Sequence, residues 1–425
     1  MSQSGADLAG VFADGGALDH ALPSFRPRSG QQQLAIAIAE CLESQTDLVA
    51  EAATGTGKTL AYLVPVLLRD ARCILSTGTL NLQDQLFRRD LPLALAALGL
   101  ERKVALLKGR SNYLCLQRLE QHLSAEPSDS KTYADLVKVR AWSRRTEAGE
   151  ISEVDGISAD APVWPLVTST QDNCLGSECP KLSQCHLVQA RRQAQEADVV
   201  VVNHHLLFAD LALKQTGFGE VLPGASAIII DEAHQVPDTA MRFFSQGISA
   251  WQLRELSRDS LAACGGAPGS LALLQSPVGE LKAALDQVMS SFYDLPTRGE
   301  VGRLSQALSG IEQLFGRLEN LAAQLEPLSD QTRDLASCAD RTEKLMKGLR
   351  AFLKGESGYV RWYQHRRGRF QLHLTPLDVA GPLNELRSQV PGCWIMTSAT
   401  LAVGGRFDHF TERLGLMDAR ELVID

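Results

Sequence analysis

The sequence predicts an α/β fold built around a parallel sheet, and three observations lead to that prediction. Short apolar runs of buried-strand length recur along the chain, and most are followed by a helical pattern. One run, at residues 48–50, leads into a glycine-containing loop that ends in Gly-Lys-Thr at 57–59. Another, at residues 227–230, ends in Asp-Glu. At 425 residues the chain exceeds the usual size of one hydrophobic core, so we expect several domains.

The first residues are expected to be less ordered than the rest. Residues 1–24 are small, polar and rich in glycine and alanine, which predicts a flexible N-terminus. A helical pattern follows at residues 32–38. Just before it, Gln31 carries an amide that can both donate and accept hydrogen bonds, as recognition of adenine requires. A solvated helix start explains the same residue, so the sequence leaves two interpretations.

The loop after the first strand has the composition of a phosphate-binding loop. Gly55 and Gly57 have no Cβ to obstruct backbone N–H groups that point at phosphate oxygens. The Lys58 ammonium can reach the β- and γ-phosphates, and the Thr59 hydroxyl can bind Mg²⁺. The general pattern has glycine where this chain has Ala52. The predicted nucleotide-binding residues are Ala52, Ala53, Thr54, Gly55, Thr56, Gly57, Lys58 and Thr59.

Polar residues also follow the second predicted strand, at residues 72–77. Thr77, Thr79 and Gln83 can hold a nucleic-acid backbone through neutral hydrogen bonds, because ligands bind at the carboxyl ends of parallel strands. A capped helix is the alternative explanation for these residues.

Four of the nine cysteines lie between residues 111 and 197, where the alternation of strands and helices stops. Cys174, Cys179 and Cys185 are close in sequence, whereas Cys115 must return in space to join them. Four thiolates with unequal gaps suit an iron–sulfur cluster or a zinc site, and ligand softness does not decide between the metals. Scattered structural cysteines remain the alternative.

The tetrapeptide Asp231-Glu232-Ala233-His234 follows an apolar strand, as an ATPase with a phosphate-binding loop requires. Asp231 can hold Mg²⁺, and Glu232 can orient and deprotonate the attacking water. His234 can report occupancy of the γ-phosphate site to another element. Together with Gly-Lys-Thr in one chain, these residues predict ATP hydrolysis.

The region from about 239 to 358 has a helical pattern. Leucine, isoleucine and phenylalanine recur at helical spacing from Leu304 to Leu325 and from Leu335 to Phe352. We interpret these stripes as the core of a helical insertion, with a partner-binding face as the alternative. Gly310 and Gly316 leave the continuity of the first helix open.

Charge and composition limit the classes of partner. Lys and Arg number 42 against 50 Asp and Glu, so the net charge of −8 provides no overall attraction for nucleic acid. Any contact must be local, and the candidate groups are Lys108, Arg110, Tyr113, Arg144 and Arg145. Residues 361–370 interleave arginines with aromatics, which suits single-stranded nucleic acid or, alternatively, a β-hairpin with a solvated arginine face.

The chain lacks the sequence features of a membrane or exported protein. No apolar run approaches the roughly 18 residues of a membrane helix, and no signal peptide precedes the first helix. We therefore expect a cytoplasmic protein, and in such a protein we do not expect the cysteines to form disulfides.

The motifs together make the chain similar to the superfamily 2 DNA helicases of the XPD/DinG group, which carry an iron–sulfur cluster. The matching features are Arg28 with Gln31, A-A-T-G-T-G-K-T at 52–59, S-T-G-T at 76–79, L-K-G-R-S-N-Y-L-C at 107–115, the three later cysteines, V-V-N-H-H-L at 201–206, D-E-A-H at 231–234 and T-S-A-T-L at 397–401.

The resemblance implies a RecA-like domain with a parallel sheet, interrupted by an iron–sulfur insertion and a helical arch insertion. It implies a [4Fe–4S] cluster on Cys115, Cys174, Cys179 and Cys185, contact of Arg28 and Gln31 with the base, and ATP- and Mg²⁺-dependent 5′→3′ movement on single-stranded and forked DNA. Replication or repair proteins are the expected protein partners. The expected boundaries are a flexible N-terminus at 1–24, RecA-like parts at 25–110, 198–238 and 366–425, the iron–sulfur domain at 111–197 and the arch at 239–365.

The chain departs from this family after the Thr-Ser-Ala-Thr-Leu motif, because it stops at Asp425. Such proteins couple two RecA-like domains, so we expect the second one to be missing and this chain to be an N-terminal fragment. An arginine supplied from outside the first domain can be worth about 10³–10⁵ in rate, so poor ATP hydrolysis and no unwinding are expected of the chain alone. An ATP-switched DNA-binding module and a redox sensor are the two rival hypotheses.

Overall fold

The computed structural model describes residues 8–22, 25–124, 130–171, 173–216 and 221–424. The helices, in chain order, are Ala17–Ala21 (α1), Ser29–Ser44 (α2), Lys58–Leu68 (α3), Leu80–Gln85 (α4), Leu91–Leu98 (α5), Leu116–Ser124 (α6), Ser130–Trp142 (α7), Trp164–Val167 (α8), His186–Glu196 (α9), His204–Thr216 (α10), Val236–Phe244 (α11), Ala250–Ala263 (α12), Ser270–Ser291 (α13), Ser305–Leu325 (α14), Arg333–Lys354 (α15), Ala380–Ser388 (α16) and Asp408–Leu414 (α17). The strands are Leu48–Ala52 (β1), Cys73–Thr77 (β2), Val104–Leu106 (β3), Val199–Asn203 (β4), Ala227–Asp231 (β5), Gln246–Ser249 (β6), Arg298–Glu300 (β7), Tyr359–Arg366 (β8), Arg369–Pro376 (β9), Cys393–Ser398 (β10) and Arg420–Ile424 (β11).

The chain forms two compact units. Unit 1 consists of Met1–Gly109, Val188–Phe243 and Asp378–Asp425. Unit 2 consists of Arg110–Leu187 and Phe244–Leu377. Each unit is assembled from segments that are distant in sequence.

Unit 1 contains the predicted α/β fold. Its seven strands are all parallel and have the order β11-β1-β10-β5-β2-β4-β3. Runs such as the three isoleucines of β5 and the four valines of β4 are buried throughout, as expected for strands with both faces covered. β10 lies between β1 and β5, so three strands that carry motifs are neighbours.

The N-terminal segment differs from the expectation of a flexible end. Residues 1–7 and 23–24 of that predicted segment lie outside the described residues. Residues 8–22, however, are not loosely ordered, because Leu8, Phe12 and Leu18 are buried in the core of unit 1. Burial of these three apolar side chains stabilises an ordered conformation although the sequence around them is rich in glycine.

Unit 2 combines the cysteine-containing segment with the helical insertion. Its helical stripes are buried, with Leu304, Ile311, Leu318 and Leu325 fully enclosed in one core, as predicted. α14 continues through both of its glycines. A Cβ added at Gly310 would lie 3.2 Å from Val288 Cγ2, so glycine there permits close packing of α14 on α13.

A second sheet in unit 2 corrects the predicted helical content of the insertion and its predicted boundary at 365/366. Four antiparallel strands pair in the order β6-β9-β8-β7, so the insertion is not purely helical. β9 pairs along its whole length with β8, and residues 366–377 therefore belong to unit 2 instead of the last RecA-like part. Within the described residues no helix is both long and apolar enough to cross a membrane.

Candidate functional site

The loop between β1 and α3 has the backbone that its glycines predict. Gly55 and Gly57 adopt φ values of 88° and 86°, in the left-handed region that favours glycine. A Cβ at Gly57 would lie 2.2 Å from Gln31 Nε2, so a larger residue would displace the Gln31 amide and would also be strained by the positive φ. Ala53, Thr54 and Gly55 are exposed, which leaves the loop open to solvent.

Arg28 and Gln31 contact this loop directly. The Arg28 guanidinium donates a hydrogen bond to the Gly55 carbonyl, and Gln31 Nε2 donates to the Gly57 carbonyl over 2.9 Å. Both side chains therefore support the loop conformation. Their predicted contact with a base stays a prediction.

Lys58 opens α3 at the end of the loop. Its Nζ donates to the carbonyls of Ala52 and Ala53, over 2.9 and 3.3 Å. Thr56 Oγ1 donates to the Ala53 carbonyl over 2.7 Å. The ammonium thus lies within the curve of the loop, where the sequence predicts phosphate binding.

Asp231 lies at the carboxyl end of β5 and is connected to α3 through Tyr62. The Tyr62 hydroxyl donates to Asp231 Oδ2 over 3.1 Å and also hydrogen-bonds to the Thr59 side chain. Thr397 Oγ1 of β10 donates to Asp231 Oδ1 over 3.3 Å. The structure therefore brings together the two residues predicted to hold Mg²⁺, Thr59 and Asp231.

Burial changes the acidity of both partners. Burial, followed by repulsion from Glu232, raises the pKa of Asp231, while the Lys58 charge opposes the increase. Burial and the nearby Asp231 charge raise the pKa of Tyr62 well above its ordinary value. Tyr62 is thus a permanent hydrogen-bond donor at physiological pH, which suits a carboxylate acceptor.

Glu232 and His234 follow Asp231 in a tight turn. Glu232 has a φ of 55°, which is unusual for a non-glycine residue, and its carboxylate lies 3.4 Å from His234 Nδ1. His234 Nδ1 also lies 2.8 Å from Ser398 Oγ at the end of β10. His234 therefore connects the Asp-Glu-Ala-His segment with the Thr-Ser-Ala-Thr-Leu segment.

Sequence reasoning missed two side chains of this site, Tyr62 and Glu51. The Glu51 carboxylate accepts hydrogen bonds from the backbone N–H groups of Leu401 and Ala402, the latter over 2.6 Å. It therefore fastens the loop after β10 to the end of β1. Only their positions in the sequence could have indicated a role in the site. Glu51 directly precedes the loop region, and Tyr62 lies one helical turn after Thr59.

The predicted nucleic-acid contacts after β2 are wrong for two of three residues. Gln83 is fully buried, and its Nε2 donates to the carbonyls of Leu107 and Val201 over 2.8 and 3.2 Å. Thr77 is 1% exposed. Thr79 Oγ1 accepts from the Leu82 N–H, so the capped-helix alternative is confirmed.

Burial also excludes two candidate contacts near the cysteines. Lys108 is 3% exposed, and its Nζ lies 2.8 Å from the Asp84 carboxylate. Tyr113 is likewise 3% exposed, so its ring cannot stack on an incoming base. Arg144 and Arg145 are exposed and Arg110 is half-buried, so these three remain predicted contacts.

The nine cysteines fall into two groups by environment. Cys115, Cys174, Cys179 and Cys185 are half-buried, whereas the five outside this set are buried. Burial raises the pKa of both Cys115 and Cys179. Negative charge on Cys174 and Cys179 raises the pKa of Cys115 further. Negative charge on Cys174 and Cys185 does the same for Cys179. The four thiols are thus near enough to interact, and their donor chemistry fits an iron–sulfur cluster. Among the described residues, however, no three His, Cys, Asp or Glu side chains are arranged closely enough to hold a metal ion.

Comparison with known proteins finds helicases among the relatives of this chain. Residues 29–126 match the DEAD/DEAH box helicase family, and residues 168–253 match the family described as DEAD_2. The ATP-dependent DNA helicase YoaA of Escherichia coli is 42% identical over 97% of this chain and 66% of its own length. YoaA of Haemophilus influenzae is 38% identical over 98% of this chain and 66% of its own length.

A third relative carries a different name. The ATP-dependent helicase DinG of Mycobacterium tuberculosis is 31% identical over 92% of this chain and 62% of its own length. The chain thus spans slightly less than two thirds of the length of these relatives. The resemblance that the motifs predict is confirmed, and the chain belongs to the DEAD/DEAH-box helicases that include the YoaA and DinG proteins.

Proposed function

We propose that this chain forms the ATP-hydrolysing part of a DNA helicase. The observation that carries the proposal is the Tyr62 hydroxyl, which contacts both Thr59 of the phosphate-binding loop and Asp231 of the Asp-Glu-Ala-His segment. One Mg²⁺-bound nucleotide can be held between these two side chains. The names of the relatives supply the substrate class, because each is called an ATP-dependent helicase.

Each residue of the site then has a chemical task. Backbone N–H groups of residues 53–57 and the Lys58 ammonium bind the triphosphate, and Thr59 and Asp231 hold Mg²⁺. Glu232 accepts the proton of the attacking water, and its carboxylate lies beside His234. Through Ser398, His234 transmits the state of the γ-phosphate to the loop after β10.

A [4Fe–4S] cluster on Cys115, Cys174, Cys179 and Cys185 is part of the proposal. The mutual influence of these four half-buried thiols supports it, as does the burial of the remaining cysteines. Such a cluster would cross-link the segment before α6 with the segment between α8 and α9. Iron and sulfide analysis of anaerobically purified protein tests this point, and zinc in stoichiometric amount would contradict it.

We further propose 5′→3′ translocation on single-stranded or forked DNA, in the cytoplasm and in repair or replication. Strand displacement by the native protein on duplexes with a 5′ or a 3′ tail tests the polarity, and only the 5′-tailed duplex should open.

Glu232→Gln should reduce DNA-stimulated ATP hydrolysis by about 10²–10⁴-fold. Lys103→Ala is the control, since this exposed lysine of unit 1 lies outside the site. DNA binding that depends on ATP without strand displacement would favour the switch hypothesis instead.

A further inference from the structure

The sheet of unit 2 has one buried face and one open face. On β9, Phe370, Leu372 and Leu374 are each 1% exposed, and the first two pack into the helical core. Arg369 and Gln371 alternate with them and are exposed. Because side chains alternate along a strand, the residues in register with these two share the open face.

The open face carries planar polar and aromatic groups in register. Arg366 pairs with Arg369, Gln364 with Gln371, and Trp362 with His373, along the hairpin of β8 and β9. On the neighbouring strand β7, Arg298 pairs with Gln364. The face is therefore mainly a row of guanidinium, amide and aromatic planes, and the aliphatic Val360 lies at the end of the row away from the turn.

Three of these groups form a stack across the strands. The rings of Trp362 and His373 lie 4.1 Å apart with an interplanar angle of 14°, and the Arg298 guanidinium lies 4.3 Å from the Trp362 ring centre. Trp362 Nε1 donates to Thr375 Oγ1 over 2.9 Å, which fixes the ring. Arg298 is exposed, so its outer plane is available for a further planar group.

The arginines of this face have no acidic partner within the described part of the chain. Arg366, Arg367 and Arg369 are exposed at the turn between β8 and β9 and make no side-chain hydrogen bond or ion pair there. Of the residues on the open face of β6 to β9, all of which are described, only Glu300 is acidic. A positive surface therefore stands out on a chain whose net charge is −8.

An exposed aromatic side chain adjoins the same turn. Tyr293 is 63% exposed, and its ring lies 3.1 Å from the position of a Cβ added at Gly368. Single-stranded nucleic acid is bound by this combination, since phosphates pair with cations while bases stack on aromatic or guanidinium planes. An acidic peptide would use the cations but not the planes.

We propose that the open face of the β6–β9 sheet is a binding surface for single-stranded DNA. Arg366 and Arg369 bind successive phosphates, and a base stacks on the outer plane of Arg298. The inference rests on the proposed function for its choice of DNA, and it assigns a contact separate from the nucleotide site of unit 1.

Binding of a fluorescent oligothymidine, titrated at several salt concentrations without nucleotide, tests the phosphate contacts. Arg366→Ser/Arg369→Ser should weaken binding by about tenfold and reduce the salt slope by about 1.4, which corresponds to two lost contacts. Lys282→Ser/Lys354→Ser removes the same charge from exposed helical positions of unit 2 and should leave both values near those of the parent.

A second variant separates stacking from charge. Arg298→Lys retains the charge but loses the plane, and should weaken oligothymidine binding by at least about fivefold with an unchanged salt slope. Oligothymidine should also quench Trp362 fluorescence, and the quench should disappear in Trp362→Phe.

Three results would overturn the inference: parental affinity in the double arginine variant, an equal loss in the lysine control, or a parent that binds no oligothymidine. An acidic peptide that competes with DNA as well as a second oligothymidine does would also overturn it. These binding measurements need no ATP. If they contradict the DNA-binding surface while ATP hydrolysis still depends on Lys58, the inference is wrong and the proposed function is unaffected.

Discussion

At the scale of single residues, the nucleotide site depends on side chains that fix one another. Lys58, Asp231 and Glu232 could be predicted because Gly-Lys-Thr and Asp-Glu follow apolar strands. Tyr62 could not, because a tyrosine in an apolar helix is an ordinary core residue until its hydroxyl is placed beside Asp231. Its contact depends on the pairing of distant strands, which local sequence does not specify.

Tyr62→Phe removes the hydroxyl that connects Thr59 with Asp231. We expect it to destabilise the protein by about 1–3 kcal/mol, because a buried carboxylate oxygen loses its donor, and to weaken Mg²⁺-dependent ATP binding. Urea unfolding and nucleotide titration measure the two effects. Tyr133→Phe deletes an exposed hydroxyl and is the matched control. Identical behaviour of the two variants would argue against a role for Tyr62.

His204 predicts a loss of stability in mild acid. Burial lowers its pKa to about 4, and its Nδ1 lies 2.7 Å from Ser76 Oγ. In the unfolded chain the imidazole of residue 204 binds a proton near pH 6.5, whereas in the folded protein it does so only near pH 4. The free energy of unfolding is therefore unaffected by this group above pH 6.5 and decreases as the pH falls towards 4, by up to about 3 kcal/mol. Urea unfolding at several pH values should show a shallower decrease for His204→Gln. Parallel curves for parent and variant would contradict the assignment.

At the scale of elements, the cysteine segment is held to the helical insertion by a buried charge cluster. Arg118, one turn after Cys115, donates to Asp259 over 3.2 Å, and Arg341 donates to the same carboxylate over 2.7 Å. Glu255 lies 3.5 Å from Arg118. Burial and the Asp259 charge raise the pKa of Glu255 to about 7. α6, α12 and α15 thus share a network that hydrophobic periodicity does not predict.

Arg118→Met should destabilise unit 2 by about 3–5 kcal/mol, because it leaves Asp259 and Glu255 with one buried guanidinium between them. Arg333→Met breaks another pair between the same two segments, but Arg333 and Glu178 are 69% and 53% exposed, so at most about 1 kcal/mol is expected. Denaturant unfolding measures both losses. Equal losses would show that the buried cluster contributes no more than a surface pair.

At the scale of the whole molecule, the motifs predict the family and the parallel sheet but not which segments pack together. The boundary at 365/366 was wrong because β9 pairs with β8, and β6 pairs with β9 from more than a hundred residues away. Burial of Gln83, Lys108 and Tyr113 likewise comes from tertiary packing. Polar residues that the sequence suggests as ligand contacts can therefore be buried and hydrogen-bonded within the fold. Glycine and lysine in a phosphate-binding loop have few other roles, so their function is easier to predict.

The central claim is that one Mg²⁺-bound nucleotide occupies the space between Lys58 and Asp231, and calorimetric titration of Mg·ATP tests it most directly. The account predicts that Lys58→Ala weakens binding by at least about tenfold while Lys103→Ala binds as the parent does. Parental affinity in Lys58→Ala, or an equal loss in both variants, would contradict it.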